Sequence, residues 1–172
     1  MVSWQYYPKS DKLPDHLGLL LQSFDAHEPT IRSIVGSDES DLSSNRVLAT
    51  IAPDLIQIGY RVEAGKRAID KISVPVLFGR NGAVEKSFEA DAFDPLTGTV
   101  LEIEAGRGVV NNGFLKDLFE ACMMQDVNYA AIAIRNVYRR SRDFDRVVSF
   151  FDTLYASRRL TLPLLGVLII GY

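Results

Sequence analysis

Apolar residues recur at helical spacing in the first part of the chain and then alternate with polar residues further on. The helical spacing over 17–24 predicts a first helix, which Pro29 interrupts. Residues 36–44 are rich in acidic and serine residues and predict an exposed link. Ser43 can begin a second amphipathic helix, and Gly59 ends it.

An alternating pattern follows and predicts consecutive strands. The first strand, 72–78, is separated from the second, 84–93, by the turn sequence Arg80-Asn81-Gly82. A second turn at 94–98 leads to a third strand over 99–105, which is rich in Val, Leu and Ile. Short turns favour antiparallel neighbours, so these strands are expected to form a meander.

The last third of the chain returns to helical spacing between short apolar runs. The pattern predicts a helix over 114–125, a strand over 129–134, a helix over 144–156 and a buried strand over 164–170. A meander followed by a β-α-β passage predicts an α/β fold, in which helices flank a mixed sheet.

The length of 172 residues and an apolar content of 47% suit one domain with a proper core. We expect a single domain over 1–172, with its core at about 43–134. A helical prelude would occupy 1–42, and a helix plus a final strand would occupy 143–172.

The charge and cysteine content exclude several classes of protein. With 19 basic and 22 acidic residues, the whole chain is not a nonspecific polyanion binder, so any basic surface must be local. One cysteine, Cys122, excludes a disulfide framework, and two histidines are too few for a His-rich metal cage. No signal peptide is readable, and the longest apolar run, 160–172, is shorter than the roughly 20 residues of a membrane span. A cytoplasmic protein without a membrane partner is expected.

Two neighbouring predicted strands each carry an acidic face. If the turn between them holds an even number of residues, Asp91 lies opposite Glu102 and Glu89 lies opposite Glu104. Like charges in these positions repel, and a divalent cation with oxygen ligands would offset the repulsion. The alternative is a solvated sheet face whose carboxylates simply point into water.

This arrangement resembles the PD-(D/E)XK, restriction-endonuclease-like nuclease superfamily over roughly 43–134. Asp91 stands at the position of the motif aspartate, and Glu102 stands at the position of the second acid. The sequence departs from the motif in two places: Glu104 occupies the usual lysine position, and Ala90 replaces the preceding proline. Some type II restriction enzymes of this superfamily carry Glu or Gln at the lysine position, so the change does not by itself imply inactivity.

The resemblance implies a metal-dependent endonuclease that hydrolyses DNA through a metal-activated water. Asp91, Glu102 and Glu104 would hold Mg²⁺ or Mn²⁺, and Glu104 would also orient or deprotonate the water. Arg107 or Lys116 would stabilise the charge that develops on the phosphoryl group. The alternatives are a salt bridge between Arg107 and a neighbouring glutamate, and a solvated Lys116.

Further residues are candidates for contact with nucleic acid. Arg139, Arg140 and Arg142 belong to the one dense basic cluster of the sequence, which can either follow a DNA backbone or form a solvated surface. Asn112 lies where a glycine-rich loop meets a predicted helix and would either help to bind a phosphate or cap that helix.

The leading interpretation is therefore a DNA endonuclease that uses Mg²⁺ or Mn²⁺. A noncatalytic module of the same fold, binding nucleic acid or a protein partner, is the principal alternative. A third is an unrelated α/β protein whose acidic face binds a partner. Whether RNA replaces DNA and whether the chain forms a homodimer are left open.

Overall fold

Helices and strands alternate in nearly the predicted order, with one strand added at the N-terminus. The structure is a computed structural model and describes residues 1–33, 42–106 and 109–172. The helices are α1 (Asp15–Ile31), α2 (Ser44–Gln57), α3 (Gly113–Met123) and α4 (Asp143–Ser157). The strands are β1 (Ser3–Tyr7), β2 (Arg61–Val62), β3 (Ile72–Phe78), β4 (Val84–Ala90), β5 (Ala92–Asp94), β6 (Thr99–Glu104), β7 (Tyr129–Ile134) and β8 (Gly166–Gly171).

The main sheet has six strands in the order β1-β8-β7-β6-β5-β2. Its central strands β6, β7 and β8 are parallel, whereas β1, β5 and β2 each pair antiparallel with a neighbour. Strands β3 and β4 form a separate two-stranded hairpin. The prediction of a mixed sheet flanked by helices is thus confirmed.

Both faces of the main sheet are covered, and successive side chains of each central strand serve opposite faces. Leu168 and Ile170 of β8 pack in the cluster that contains the buried residues of α1 and α2. Val167 and Ile169 of the same strand pack with residues of α3 and α4. In β6, Leu101 and Ile103 belong to the α1 and α2 side, so Glu102 and Glu104 fall on the face covered by α3.

The first 42 residues differ from the helical prelude that the sequence predicts. Ser3–Tyr7 forms a strand that pairs with β8 at the edge of the main sheet. This strand is too short for its alternation to be read without knowledge of its partner. Pro29 lies inside α1, so the predicted interruption at this residue is wrong. The proline falls in the last turn, where few backbone hydrogen bonds remain to be lost.

Two predicted features fall partly or wholly beyond the described residues. Residues 36–41 of the predicted link and the candidate phosphoryl-stabilising residue Arg107 lie outside them. Among the described ranges, no helix combines the length and the apolar content that a bilayer crossing requires.

Candidate active site

The candidate site lies where β4 gives way to β5 and meets β6. Strands β5 and β6 pair as Ala92 with Leu101 and Asp94 with Thr99, so the predicted pairing of Asp94 with Thr99 is confirmed. Asp91 is the residue between β4 and β5, and its carboxylate accepts a 2.8 Å hydrogen bond from the backbone N–H of Ile103. This bond fixes the Asp91 side chain across β6, between the two glutamates of that strand.

Glu89 does not join this group, and its predicted position opposite Glu104 is wrong. Glu89 pairs with Ser73 in the β3-β4 hairpin. The strand is interrupted at Asp91, so β4 pairs with β3 outside the main sheet. The exposed Glu89 carboxylate lies 3.4 Å from the ammonium of Lys71.

Helix α3 brings a further carboxylate, Asp117, which the sequence prediction missed. Asp117 is only 8% exposed, and its Oδ2 is buried without a hydrogen-bond partner. The side chain interacts electrostatically with Glu104 and with Asp91. One sequence feature would have revealed it: Asp117 occupies the apolar stripe of α3, between the buried Phe114 and Ala121.

The pKa values of Asp91, Glu102 and Asp117 are raised because their carboxyl groups are removed from water and lie near other acids. Burial raises the pKa of Asp91 to about 6, and repulsion from Glu63 and Glu104 adds to the rise, against the hydrogen bond from Ile103. Burial also raises the pKa of Glu102 well above its ordinary value, and Asp91 is the charge that adds most to this rise.

Asp117 shows the same effect within its pair with Glu104. Burial raises the pKa of Asp117, and repulsion by the Glu104 carboxylate and a hydrogen bond between the two side chains raise it further. Such a bond needs a proton on one partner, so protons occupy positions here that a cation would otherwise take.

Two lysines near the carboxylates are already paired with acidic residues. Lys71 lies 2.8 Å from a carboxylate oxygen of Glu63, and its charge opposes the rise in the pKa of Asp91. Lys116 lies 3.2 Å from Glu120, one turn away on the exposed side of α3, and its charge opposes the rise in the pKa of Glu102. Lys116 therefore lies near the candidate site with its ammonium engaged.

The predicted nucleic-acid contacts fall in different environments. The guanidinium of Arg142 pairs with Asp145 at 2.6 Å, which favours a surface role. Arg139 and Arg140 instead border a cavity behind α3. Asn112 precedes α3 with a left-handed backbone, and its N–H donates to the carbonyl of Val109.

The donor set suits a hard divalent cation. Its donors are carboxylate oxygens, one of them orphaned, and they repel one another in a buried position. Within the described residues, no group of three or more His, Cys, Asp or Glu side chains is placed so that it could hold a metal ion together. Mg²⁺ commonly binds one or two carboxylates and completes its shell with water and substrate phosphate, so such a group is not required of the protein.

Comparison with solved structures identifies the fold. The crystal structure of free BglII matches with a TM-score of 0.51 and 12% identity, covering 99% of this chain and 78% of that chain. The crystal structure of restriction endonuclease BglII complexed with a DNA 16-mer has a TM-score of 0.49 and 12% identity, covering 99% and 77%. No family model and no curated protein sequence matches the chain. The chain has the restriction-endonuclease-like fold.

Proposed function

We propose that this protein is a metal-dependent nuclease that hydrolyses phosphodiester bonds in DNA. The observation that carries the proposal is the cluster of the half-buried Asp91, Glu102 and Glu104 with the buried Asp117, in which Asp91, Glu102 and Asp117 have raised pKa values. A cluster of strongly perturbed carboxylates is typical of a functional site, because it costs stability and persists when an activity needs it. The DNA substrate is suggested by BglII, a restriction endonuclease that has been crystallised with DNA and whose free form shares this fold.

Asp91 and Glu102 are the residues that would hold Mg²⁺ or Mn²⁺, with Glu104 and Asp117 beside them. A cation bound there supplies two effects, a lowered pKa for a coordinated water and neutralisation of charge on the phosphoryl oxygens. The Ile103 N–H holds Asp91 in position through its 2.8 Å hydrogen bond, so this ligand needs no reorganisation when the cation arrives.

Glu104 is the residue that we assign to the attacking water. It stands at the end of β6, and its backbone carbonyl accepts a 3.2 Å hydrogen bond from the hydroxyl of Tyr172, which fixes the strand end. A hydrogen bond from a protonated Asp117 would orient the Glu104 carboxylate. Glu104 would then accept a proton from the water as it attacks the phosphorus.

The test is direct cleavage by the purified chain. Duplex DNA, single-stranded DNA and RNA are each incubated with Mg²⁺, with Mn²⁺ or with EDTA, and products are separated on denaturing gels. We expect metal-dependent cutting of DNA by the wild type and none by Asp91→Asn. A wild-type chain that cuts no substrate with either metal would refute the nuclease proposal.

A second candidate function is a noncatalytic module of the same fold that binds nucleic acid. The state of the nearby lysines favours it: Lys71 pairs with Glu63 and Lys116 pairs with Glu120, so neither ammonium is free to serve the reaction. DNA binding in EDTA without cleavage in any metal would favour this module over the nuclease.

A further inference from the structure

A second polar feature lies at the same edge of the sheet as the acidic cluster. The segments that follow the parallel strands β6 and β7 enclose a cavity of about 390 Å³. Its lining consists of Val110, Asn111, Tyr138, Arg139, Arg140 and Ser141. In open α/β sheets, ligands bind outside the carboxyl ends of the parallel strands, which is where this cavity lies.

The turn that carries the arginines is tightly held. Tyr138 and Ser141 exchange two backbone hydrogen bonds of 2.9 Å each. Arg139, between them, adopts a left-handed φ of 55°, which is costly for a residue with a side chain. Strained backbone of this kind persists where the surrounding structure fixes it, and it is frequent at ligand-binding positions.

Contact with β6 ties this turn to the acidic cluster. The ring of Tyr138 lies against Gly106, so closely that a Cβ on this glycine would come within 2.7 Å of a ring carbon. Gly106 is two residues beyond Glu104, and two residues of extended chain span at most about 7 Å. The Tyr138 ring, which lines the cavity, therefore contacts the chain within two residues of Glu104.

The arginines of the cavity differ from their neighbour in the same basic cluster. The guanidinium of Arg139 lies 5.3 Å from the centre of the Tyr138 ring. In the described part of the chain, neither Arg139 nor Arg140 forms an ion pair, whereas Arg142 pairs with Asp145. Both cavity arginines are exposed, so their charges are available to an anion from solution.

We propose that this cavity binds a backbone phosphate of a nucleic acid strand, next to the phosphate that reaches the acidic cluster. The choice of nucleic acid as the ligand rests on the proposed nuclease function. Guanidinium groups match phosphate oxygens in charge and geometry, and Asn111 and Ser141 add neutral donors at the rim.

The test measures DNA binding in EDTA, where cleavage cannot contribute. A short fluorescein-labelled duplex is titrated with wild type and with the double variant Arg139→Gln/Arg140→Gln, by fluorescence anisotropy at several salt concentrations. Loss of the phosphate contact that the two guanidinium groups share should weaken binding by about tenfold or more and reduce the slope of log K against log salt by about 1. The matched control, Arg142→Gln, should bind like the wild type because that guanidinium is already paired.

The variant Asn111→Ala tests whether contacts inside the cavity contribute to binding, because it leaves the net charge unchanged. The loss of its amide should weaken binding by about two- to tenfold without changing the salt slope, since no charge is removed. Melting curves of each variant confirm that the fold is retained.

The possible results distinguish a failure of the cavity proposal from a failure of the nuclease proposal. Weaker binding by the double variant, together with a wild type that binds but never cuts, would support the cavity and refute the nuclease. Wild-type cleavage with unchanged affinity and salt slope in the double variant would refute the cavity alone.

Discussion

The β5-β6 hairpin has a buried aspartate at its turn and a half-buried aspartate at its open end, and the surroundings of the two differ. At the turn, Asp94 is 4% exposed, and its carboxylate accepts hydrogen bonds from the Leu96 N–H at 2.9 Å and the Thr97 hydroxyl at 2.6 Å. At the opposite end, Asp91 accepts the bond from Ile103 and otherwise faces mainly acidic side chains.

The difference separates a structural carboxylate from a functional one. Donors that belong to the turn itself satisfy Asp94, so its charge stabilises the hairpin. Asp91 has neighbours such as Glu104 that raise its pKa, and the nearby Asp117 leaves one oxygen without a partner. Such an arrangement does not stabilise the fold by itself. It does provide carboxylate ligands that are already in position for a cation.

The largest expected effect is the loss of cleavage on neutralising Asp91. Asp91→Asn keeps an oxygen for the Ile103 N–H but removes the charge, and several kcal/mol of transition-state stabilisation correspond to a rate lower by about 10³-fold or more. Single-turnover gel assays with saturating enzyme measure the rate. Asp94→Asn, assayed well below its melting temperature, should cut at close to the wild-type rate. Equal losses in both variants would contradict the comparison.

Removal of Asp94 should instead cost stability. Asp94→Ala leaves the Leu96 N–H and the Thr97 hydroxyl without their acceptor, and the free energy of unfolding should fall by about 2–3 kcal/mol. Urea denaturation followed by circular dichroism measures the change. Asp91→Ala, the matched control at the other end of the hairpin, should cost less because it also removes repulsion. The reverse order would show that Asp91 serves the fold.

Divalent cations should raise the melting temperature by binding at the end of the β5-β6 hairpin that carries Asp91. A ligand that binds only the folded state at ten to a hundred times its Kd stabilises it by about 1–3 kcal/mol. Differential scanning calorimetry with millimolar Mg²⁺ or Mn²⁺ should show the shift in the wild type and in Asp94→Asn. Asp91→Asn should lose it. Identical curves with and without metal in the wild type would favour a solvated acidic face.

The smallest effect concerns pH and Asp117. Because the folded-state pKa of Asp91 is about 6, above its ordinary 3.8, the folded protein retains a proton that the unfolded chain has released. Without metal, stability should therefore be fully present below about pH 4 and fall as pH rises through 6, with Asp117 extending the fall upward.

Asp117→Asn should make the metal-free protein more stable by about 1 kcal/mol at pH 8, since a buried unpaired charge is removed. Denaturant titrations between pH 4 and 9 measure the free energy of unfolding of the wild type and of the variant as a function of pH. Asp145→Asn, a change in an exposed ion pair, should follow the wild-type pH dependence. A stability that rises with pH in the wild type would show that the carboxylates are satisfied in the folded state.

Much of the acidic site could be read from the sequence because strand alternation is a local property. The parity of β6 assigned Glu102 and Glu104 to one face, and the turn length gave the pairing of Asp94 with Thr99, which is confirmed. The roles of Asp91, Glu102 and Glu104 in holding a metal stay predictions.

Other parts of the site depended on contacts between distant segments. Asp117 enters the cluster because α3 packs across the face of β6 that carries the glutamates, and its approach to Glu104 cannot be read from helical spacing alone. Glu89 leaves the cluster because the chain bends at Asp91 and β4 joins a separate hairpin.

The sequence by itself determined the element types, the mixed α/β architecture and the acidic faces of the strands, since hydrophobic periodicity and turn residues act over a few positions. The tertiary structure decided which carboxylates meet, which lysines are already paired and which arginines border a cavity. It also placed β1 at the edge of the main sheet. These outcomes depend on long-range packing, whose free energy comes from burying whole faces against one another and leaves little trace in local sequence.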